Sequence, residues 1–188
     1  MAKSSGQIRI IAGQWRGRRL PVRDVAGLRP TTDRQKETLF NWLQGSLDGA
    51  HILDLYAGAG GLGFEAMSRY GASLVAVERD KQVVQQLKAN AGLLKSDAIE
   101  VVCADVLDFL KGASRRFDVV FIDPPFRKAL VAPTLALLKP WLADDAWIYM
   151  EAEAELPMPL LPADFELYRD KVAGQSHGYL YQFERTAN

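Results

Sequence analysis

The sequence is poor in thiol and imidazole groups, with one cysteine, Cys103, and two histidines, His51 and His177. A single cysteine excludes an internal disulfide and suits a reducing compartment. Cys103 sits in the apolar run Val101-Val102-Cys103-Ala104 and reads as a core residue. No metal site is expected. Long hydrophobic runs are absent too: none approaches the roughly 18 apolar residues of a spanning helix. The opening Met1-Ala2-Lys3-Ser4-Ser5-Gly6 has no apolar signal core. It reads as a short tail (residues 1–6) on a cytoplasmic protein. Net charge is zero, which argues against indiscriminate binding to polyanions.

What is present is an ordinary globular composition with a local charge imbalance. At 188 residues and 48% hydrophobic, the chain has the size of one domain with a self-sufficient core. Residues 1–36 carry nine Lys or Arg against two acids, a local surplus of seven. Seven of those nine are arginines, whose planar fork grips phosphate bidentately. The segment suits a local polyanion site; a solvated face is the plainer alternative. From Gln7 to Pro21, apolar residues and arginines flank Gly13 and Gly17, the pattern of a β-hairpin with a basic tip. Thr31, Thr32 and Asp33 are N-cap candidates for a helix running to about Leu43. The domain reading is a hairpin over 7–30 and a main domain over 31–188, led by a helix over 31–44.

From His51 onward, strand and helix patterns alternate. Strands are expected at Ile52–Tyr56, Leu74–Glu78, Ile99–Cys103, Phe117–Ile122 and Trp147–Glu151. Helices are expected at Leu62–Tyr70, along the stripe Val83 to Leu94, at Val106–Leu110 and at Leu130–Leu142. Such alternation implies an α/β fold with a parallel sheet and right-handed crossovers. Phe165–Val172 and Tyr179–Phe183 have no helix between them, so an antiparallel hairpin is expected at one sheet edge.

The segment Asp54 to Gly63 contains Gly58-x-Gly60-x-x-Gly63 directly after a strand and opening a helix. In that context the pattern marks a loop that turns tightly and lets a ligand approach the backbone. Glu78 ends the next strand, where a carboxylate accepts both ribose hydroxyls of a nucleoside. Asp54 holds either the loop or the amino group of a methionine moiety. Asp105 follows the third strand and either accepts from an adenine amine or caps a helix. Nicotinamide dinucleotide and S-adenosylmethionine compete for such a site. The second is favoured because hydride transfer needs a proton donor, and His51 lies at the wrong end of the sheet while His177 lies in a late loop.

The run Val119 to Phe126 reads Val-Val-Phe-Ile-Asp-Pro-Pro-Phe. An apolar strand delivers an acid, two prolines and a ring at its carboxyl end. The prolines fix the local backbone and hold the preceding residues extended. Asp123 and the Pro124 carbonyl form a stiff acceptor pair, Pro125 stiffens the turn, and Phe126 can stack on a flat ligand. That suits an exocyclic amine of a nucleobase; a rigid turn after a strand is the plainer alternative. In an open α/β sheet this turn and the glycine loop share the cleft at the strands' carboxyl ends.

These residues resemble the class I S-adenosylmethionine-dependent methyltransferases. More narrowly, nearly the whole chain resembles the RsmD family, bacterial 16S ribosomal RNA guanine-N(2) methyltransferases. The discriminating stretches are Arg9 to Arg18, Leu28 to Arg34 and Glu37 to Leu43, joined by the glycine loop, Asp123 to Phe126, and Lys171 to Gln175. The resemblance implies a Rossmann-like, seven-stranded, mostly parallel sheet with an antiparallel C-terminal edge hairpin. It implies S-adenosylmethionine held by Asp54, Tyr56, Gly58, Gly60, Gly63, Glu78 and Asp105, and chemistry at Asp123, Pro124, Pro125 and Phe126. It implies a monomer acting on one guanine of 16S ribosomal RNA within an assembled or late-assembly small subunit. Arg16, Arg18, Arg19, Arg29 and Arg34 are the expected RNA contacts. Tyr56, Gly61 and Phe64 depart mildly from the family pattern.

Three rival readings remain. An adenine-N(6) methyltransferase acting on DNA or RNA would present an amine to the same acceptors. A non-catalytic RNA-binding assembly factor would need the cofactor and the basic segment but not the Asp123 turn. A nicotinamide oxidoreductase would use the glycine loop alone.

Overall fold

A computed structural model of the chain describes residues 6–26, 28, 31–112, 115–157 and 160–185. Residues 1–5, most of the expected tail, and Arg29, one of the expected RNA contacts, lie outside them.

The core is a seven-stranded sheet of order β5-β4-β3-β6-β7-β9-β8. Its first four strands are β3 (His51–Leu55), β4 (Ser73–Glu78), β5 (Ile99–Cys103) and β6 (Phe117–Ile122). They are joined in parallel to β7 (Leu142–Glu153). The central strands are almost continuously apolar and buried, because helices cover both faces. One face carries α1 (Asp33–Trp42), α2 (Gly61–Ser68) and α3 (Lys81–Leu93); the other carries α4 (Val106–Leu110) and α5 (Val131–Leu138). The chain steps from β3 to β4 on one side and later places β6 on the other. The topological switch point therefore lies between the carboxyl ends of β3 and β6, where ligands of such sheets sit.

Local chemistry sets the helix ends. Thr32 caps α1 in a reciprocal box with Gln35, and Asp80 caps α3 through the Gln82 and Val83 amides. The helix α2 has no side-chain cap, and its N-cap residue is Gly60, which is left-handed at φ 82. The expected helix to Leu142 ends at Leu138 instead. Lys139–Trp141 forms a 3-10 turn and Leu142 already belongs to β7. Pro140 accounts for this, since it supplies no amide and its ring crowds the preceding turn.

The C-terminal hairpin is present, with a finer topology than a simple edge addition. The strands β8 (Phe165–Ala173) and β9 (Ser176–Phe183) pair antiparallel, and β9 inserts between β7 and β8. The turn shrinks to Gly174-Gln175, with Gly174 at φ 61. His177 consequently lies in β9 rather than in a loop, bonded to Asp170 and Tyr179.

The N-terminal hairpin, β1 (Gln7–Arg9) with β2 (Arg19–Pro21), packs into the main core. Ile8, Ile10, Leu20 and Val22 are buried with Leu39, Phe40 and residues of α2 and α3. Cys103 is exposed at the end of β5, contrary to the core position expected from its apolar neighbours. Edge strand β5 is covered less fully than the strands inside it. Among the described residues, no helix is long and apolar enough to cross a membrane.

Candidate active site

The register places the sequence-predicted acids on one rim. Leu55 pairs with Val77 in β4 and with Ile122 in β6, while Glu78 pairs with Cys103 in β5. Tyr56, Glu78, Cys103 and Asp123 therefore stand at the same level, at the carboxyl ends of four adjacent parallel strands.

The glycine loop is fastened by two of those acids. Asp54, 2% exposed, accepts the Gly63 amide at 3.1 Å. Glu78 accepts the Gly58 amide at 3.0 Å through one oxygen, and the Arg79 and Asp80 amides at 2.8 and 2.9 Å through the other. The sequence left two roles open for Asp54, and the structure shows the loop-holding one. Burial pushes its carboxyl up to about 8, with the Gly63 amide opposing the shift and the Glu78 charge adding to it. Gly63 must lack a Cβ, which would lie 2.8 Å from Asp54 Oδ2 and 2.9 Å from Leu74 Cδ2. A Cβ on Gly60 would meet the Phe64 ring at 2.5 Å. Gly58, at φ 54, has more room, so glycine there serves the backbone turn.

This cradle fits S-adenosylmethionine. Glu78 Oε2 takes a single loop amide and keeps acceptor capacity for a ribose hydroxyl. Asp105 caps α4 by accepting the Leu107 and Asp108 amides at 2.9 and 3.2 Å, both through Oδ1. Of the two roles the sequence left open for Asp105, the structure shows the helix cap, and its other oxygen takes no hydrogen bond among the described residues. Tyr56, at φ 60, turns its hydroxyl to Thr134 Oγ1 at 2.7 Å and so braces the loop against α5.

Across the cleft, Asp123 follows β6, Pro124 is buried, Pro125 is exposed and Phe126 is half-buried. The turn is held from the neighbouring strand: the Arg127 amide donates to the Glu153 carboxylate at the end of β7. Arg127 and Ala129 both take left-handed backbone, at φ 61 and 49, so this segment is strained and needs such an anchor. Burial pushes the Asp123 carboxyl well up, and the charge of Glu151, a hydrogen bond with it and the charge of Asp54 push the same way. Asp54 thus holds Gly63 on one side of the site and lies within electrostatic range of Asp123 on the other.

The basic segment meets the same cleft. Val22, Arg23 and Leu28 line a narrow hollow whose other wall is Gly58, Ala59 and residues of α3. Arg16, Arg19 and Arg34 are exposed. Arg18 is exposed but also donates to the Leu93 carbonyl at 2.8 Å, tying the hairpin to the end of α3. The hairpin tip is indexed to α2, whose other end is the glycine loop. Glu65, 0% exposed, accepts the Ile11 and Ala12 amides at 2.9 and 3.0 Å and Arg69 Nε at 3.0 Å. Ser68 accepts the Trp15 amide at 3.0 Å and donates to the Ala12 carbonyl at 2.6 Å. Lys36, equally buried, lies 3.7 Å from Glu65 and donates to the Arg9 carbonyl at 2.6 Å. Burial pulls its ammonium down, against the raising pull of Glu65.

Sequence reasoning missed Glu65, Glu151 and Tyr149. The signal for Glu151 was its place at the end of an apolar strand, the position that singled out Glu78 and Asp123. Among the described residues, no group of three His, Cys, Asp or Glu is arranged to hold a metal.

Comparison with known proteins agrees with this geometry. A family model described as "Conserved hypothetical protein 95" matches residues 8–182. Ribosomal RNA small subunit methyltransferase D of Escherichia coli K12 is 52% identical over 182 residues, 96% of this chain and 92% of that protein. The Haemophilus influenzae protein of the same name is 46% identical, over 95% of each chain. The solved structure of Escherichia coli yhhF superposes with a TM-score of 0.89 at 50% identity, covering 96% of this chain and 100% of the other. That of Haemophilus influenzae HI0767 gives 0.83 at 42% identity, with the same coverage. From its sheet order, its rim of acids and these full-length matches, the chain belongs to the conserved hypothetical protein 95 family, the family of ribosomal RNA small subunit methyltransferase D.

Proposed function

We propose that this protein methylates the exocyclic amine of one guanine in 16S ribosomal RNA, with S-adenosylmethionine as donor. Its substrate is an assembled or late-assembly small subunit, and it acts as a cytoplasmic monomer. The observation that carries the reading is the meeting of two acids at the switch point: Asp54, which holds Gly63 of the glycine loop and pairs with Phe121 of β6, and Asp123, which follows two residues later and opens the Asp-Pro-Pro-Phe turn.

The donor supplies an electrophilic methyl on a sulfonium; the protein's task is alignment. The glycine loop, Glu78 and Asp105 hold the nucleoside half, and Asp54 and Tyr56 brace the loop. The Pro124 carbonyl and Asp123 accept from the guanine amine, whose lone pair is otherwise delocalised into the ring. Directed by these acceptors, the lone pair points at the methyl, and the positive charge growing on nitrogen is stabilised in a desolvated cleft. Phe126 stacks on the base, which leaves its neighbours to enter the cleft. Arg16, Arg18, Arg19, Arg29 and Arg34 contact the RNA backbone, and the Glu65 anchor keeps that grip in register with the cleft.

Mass mapping of nucleosides from small-subunit RNA tests the reading, after incubation of unmethylated particles with this protein and labelled donor. The expected product is N2-methylguanosine at one position. Label in adenine N6, or in duplex DNA instead, would move the assignment to the amine-methyltransferase alternative. No transfer at all would leave an assembly factor.

A further inference from the structure

Glu151 is 8% exposed and stands on β7 directly beside the acceptor turn. Ile122, the last residue of β6, pairs with Met150, so the residues that follow them, Asp123 and Glu151, stand beside each other just past the end of the β6–β7 ladder. Tyr149, two residues earlier on the same face, donates its hydroxyl to Glu151 Oε1 at 2.8 Å. That contact is built into the sheet. Gly178 of β9 pairs with Glu151, and a Cβ there would lie 2.7 Å from the Tyr149 hydroxyl oxygen. The bare glycine gives that hydroxyl its room.

We infer that Glu151, braced by Tyr149, is a positioning residue for Asp123 that shares one proton with it. The pair thereby turns one Asp123 oxygen towards the guanine amine and takes up the proton the amine gives up on methylation. This rests on the methyl-transfer reading above.

Two carboxyl groups side by side, Glu151 buried and Asp123 half-buried, do not readily both ionise; one proton held between them forms a strong, directional bond. Tyr149 occupies Glu151 Oε1, which leaves Oε2 for Asp123. The other groups facing the pair favour the singly protonated state. Asp54 on β3 is an acid whose own proton burial retains, so it brings no cation to the pair; β9 offers the uncharged Gly178, and α1 presents Phe40 against Phe121. On the same side, Lys36 and Glu65 satisfy each other and the hairpin, and the Glu153 carboxylate accepts from the Arg127 amide. Tyr149 stays a donor, because burial first and then Glu151 hold its hydroxyl protonated.

In the reaction, the nitrogen–carbon bond forms as the donor's carbon–sulfur bond breaks, and sulfur keeps the bonding pair. Nitrogen becomes a positively charged, four-bonded centre. One N–H bond then breaks, nitrogen recovers its lone pair, and the proton passes to the Asp123–Glu151 pair and on to water. A pair with one proton and one negative charge can accept it; a doubly protonated pair cannot. An unprotonated pair has lost the bond that aims Asp123. Turnover therefore has both an acid and an alkaline limb.

The experiment measures kcat and KM for small-subunit particles across pH, and donor affinity by calorimetry, for the native chain, Glu151→Gln and Tyr149→Phe. Glu151→Gln keeps the shape and a hydrogen bond but holds no shared proton. It should lower kcat about 100-fold, leave KM and donor affinity essentially native, and abolish the alkaline limb. Tyr149→Phe should lower kcat less and move the alkaline limb to higher pH, because the doubly ionised pair loses its donor. A native kcat and pH profile in Glu151→Gln refutes the inference while the methyl-transfer reading stands. So does a loss of kcat that comes with an equal loss of donor affinity and an unmoved alkaline limb. A native chain that transfers no methyl refutes the reading, and this inference with it.

Discussion

Asp54 Oδ2 accepts the Gly63 amide at 3.1 Å, and through this bond the first strand of the sheet holds the loop that opens α2. The same carboxyl acts on Asp123 across the cleft. One buried acid thus holds the glycine loop within electrostatic range of the Asp123 turn.

A pH signature follows from that burial. The Asp54 carboxyl rises from 3.8 to about 8 in the folded protein. Its contribution to stability is complete below about pH 4 and is lost as pH rises towards 8, because the unfolded chain ionises first. Asp54→Asn keeps an acceptor for Gly63 and removes the titration. Urea midpoints of native protein and variant should diverge across this window, on the order of several kcal/mol in favour of the variant at the alkaline end. Parallel curves would show that Asp54 ionises normally.

The hairpin is seated by contacts too close for substitution. A Cβ on Gly13, at φ 84, would lie 1.9 Å from the Ser68 carbonyl oxygen. Gly13→Ala should cost about 2 kcal/mol or more. It should also cut particle methylation far more than donor affinity, read by calorimetry and label transfer on the same preparation. Native transfer rates would detach the hairpin from substrate recognition.

Glu65→Ala strips a buried carboxylate from two amides, Arg69 and Lys36. Breaking such a set costs about 3 to 5 kcal/mol. The thermal midpoint should fall accordingly, and a change within error would mean that water replaces the lost acceptor.

The arginines separate by what they touch. Arg16→Ala, Arg19→Ala and Arg34→Ala should each reduce the salt slope of RNA binding by about one unit and leave stability unchanged. Arg18→Ala should also lower stability, because it holds the Leu93 carbonyl at 2.8 Å. Salt titrations beside melting curves distinguish the two classes, and a lowered melting point for Arg16→Ala would break the division.

What the sequence disclosed was local, and what it concealed was register. The glycine loop, the Asp123 turn and the alternation of strands and helices are written in contiguous residues, so the α/β sheet and its C-terminal hairpin were legible. Glu151 was not, because its meeting with Asp123 depends on which residue of β7 stands beside Ile122. The roles of Glu65 and Lys36 show only when the hairpin is laid over α2, because their partners lie some 27 to 54 residues away in the chain. Asp105 makes the helix cap that the sequence offered as one of its two readings, whereas the bond from Arg18 to the Leu93 carbonyl joins segments far apart in the chain. The insertion of β9 between β7 and β8 was hidden for a similar reason, since a hairpin's sequence does not say which of its strands faces the sheet.

The most direct test of the account is single-turnover methyl transfer to small-subunit particles by Asp123→Ala, with donor affinity measured in parallel. The account predicts a rate lower by about 100-fold or more with donor affinity close to native. A near-native rate would contradict it and remove Asp123 from the chemistry.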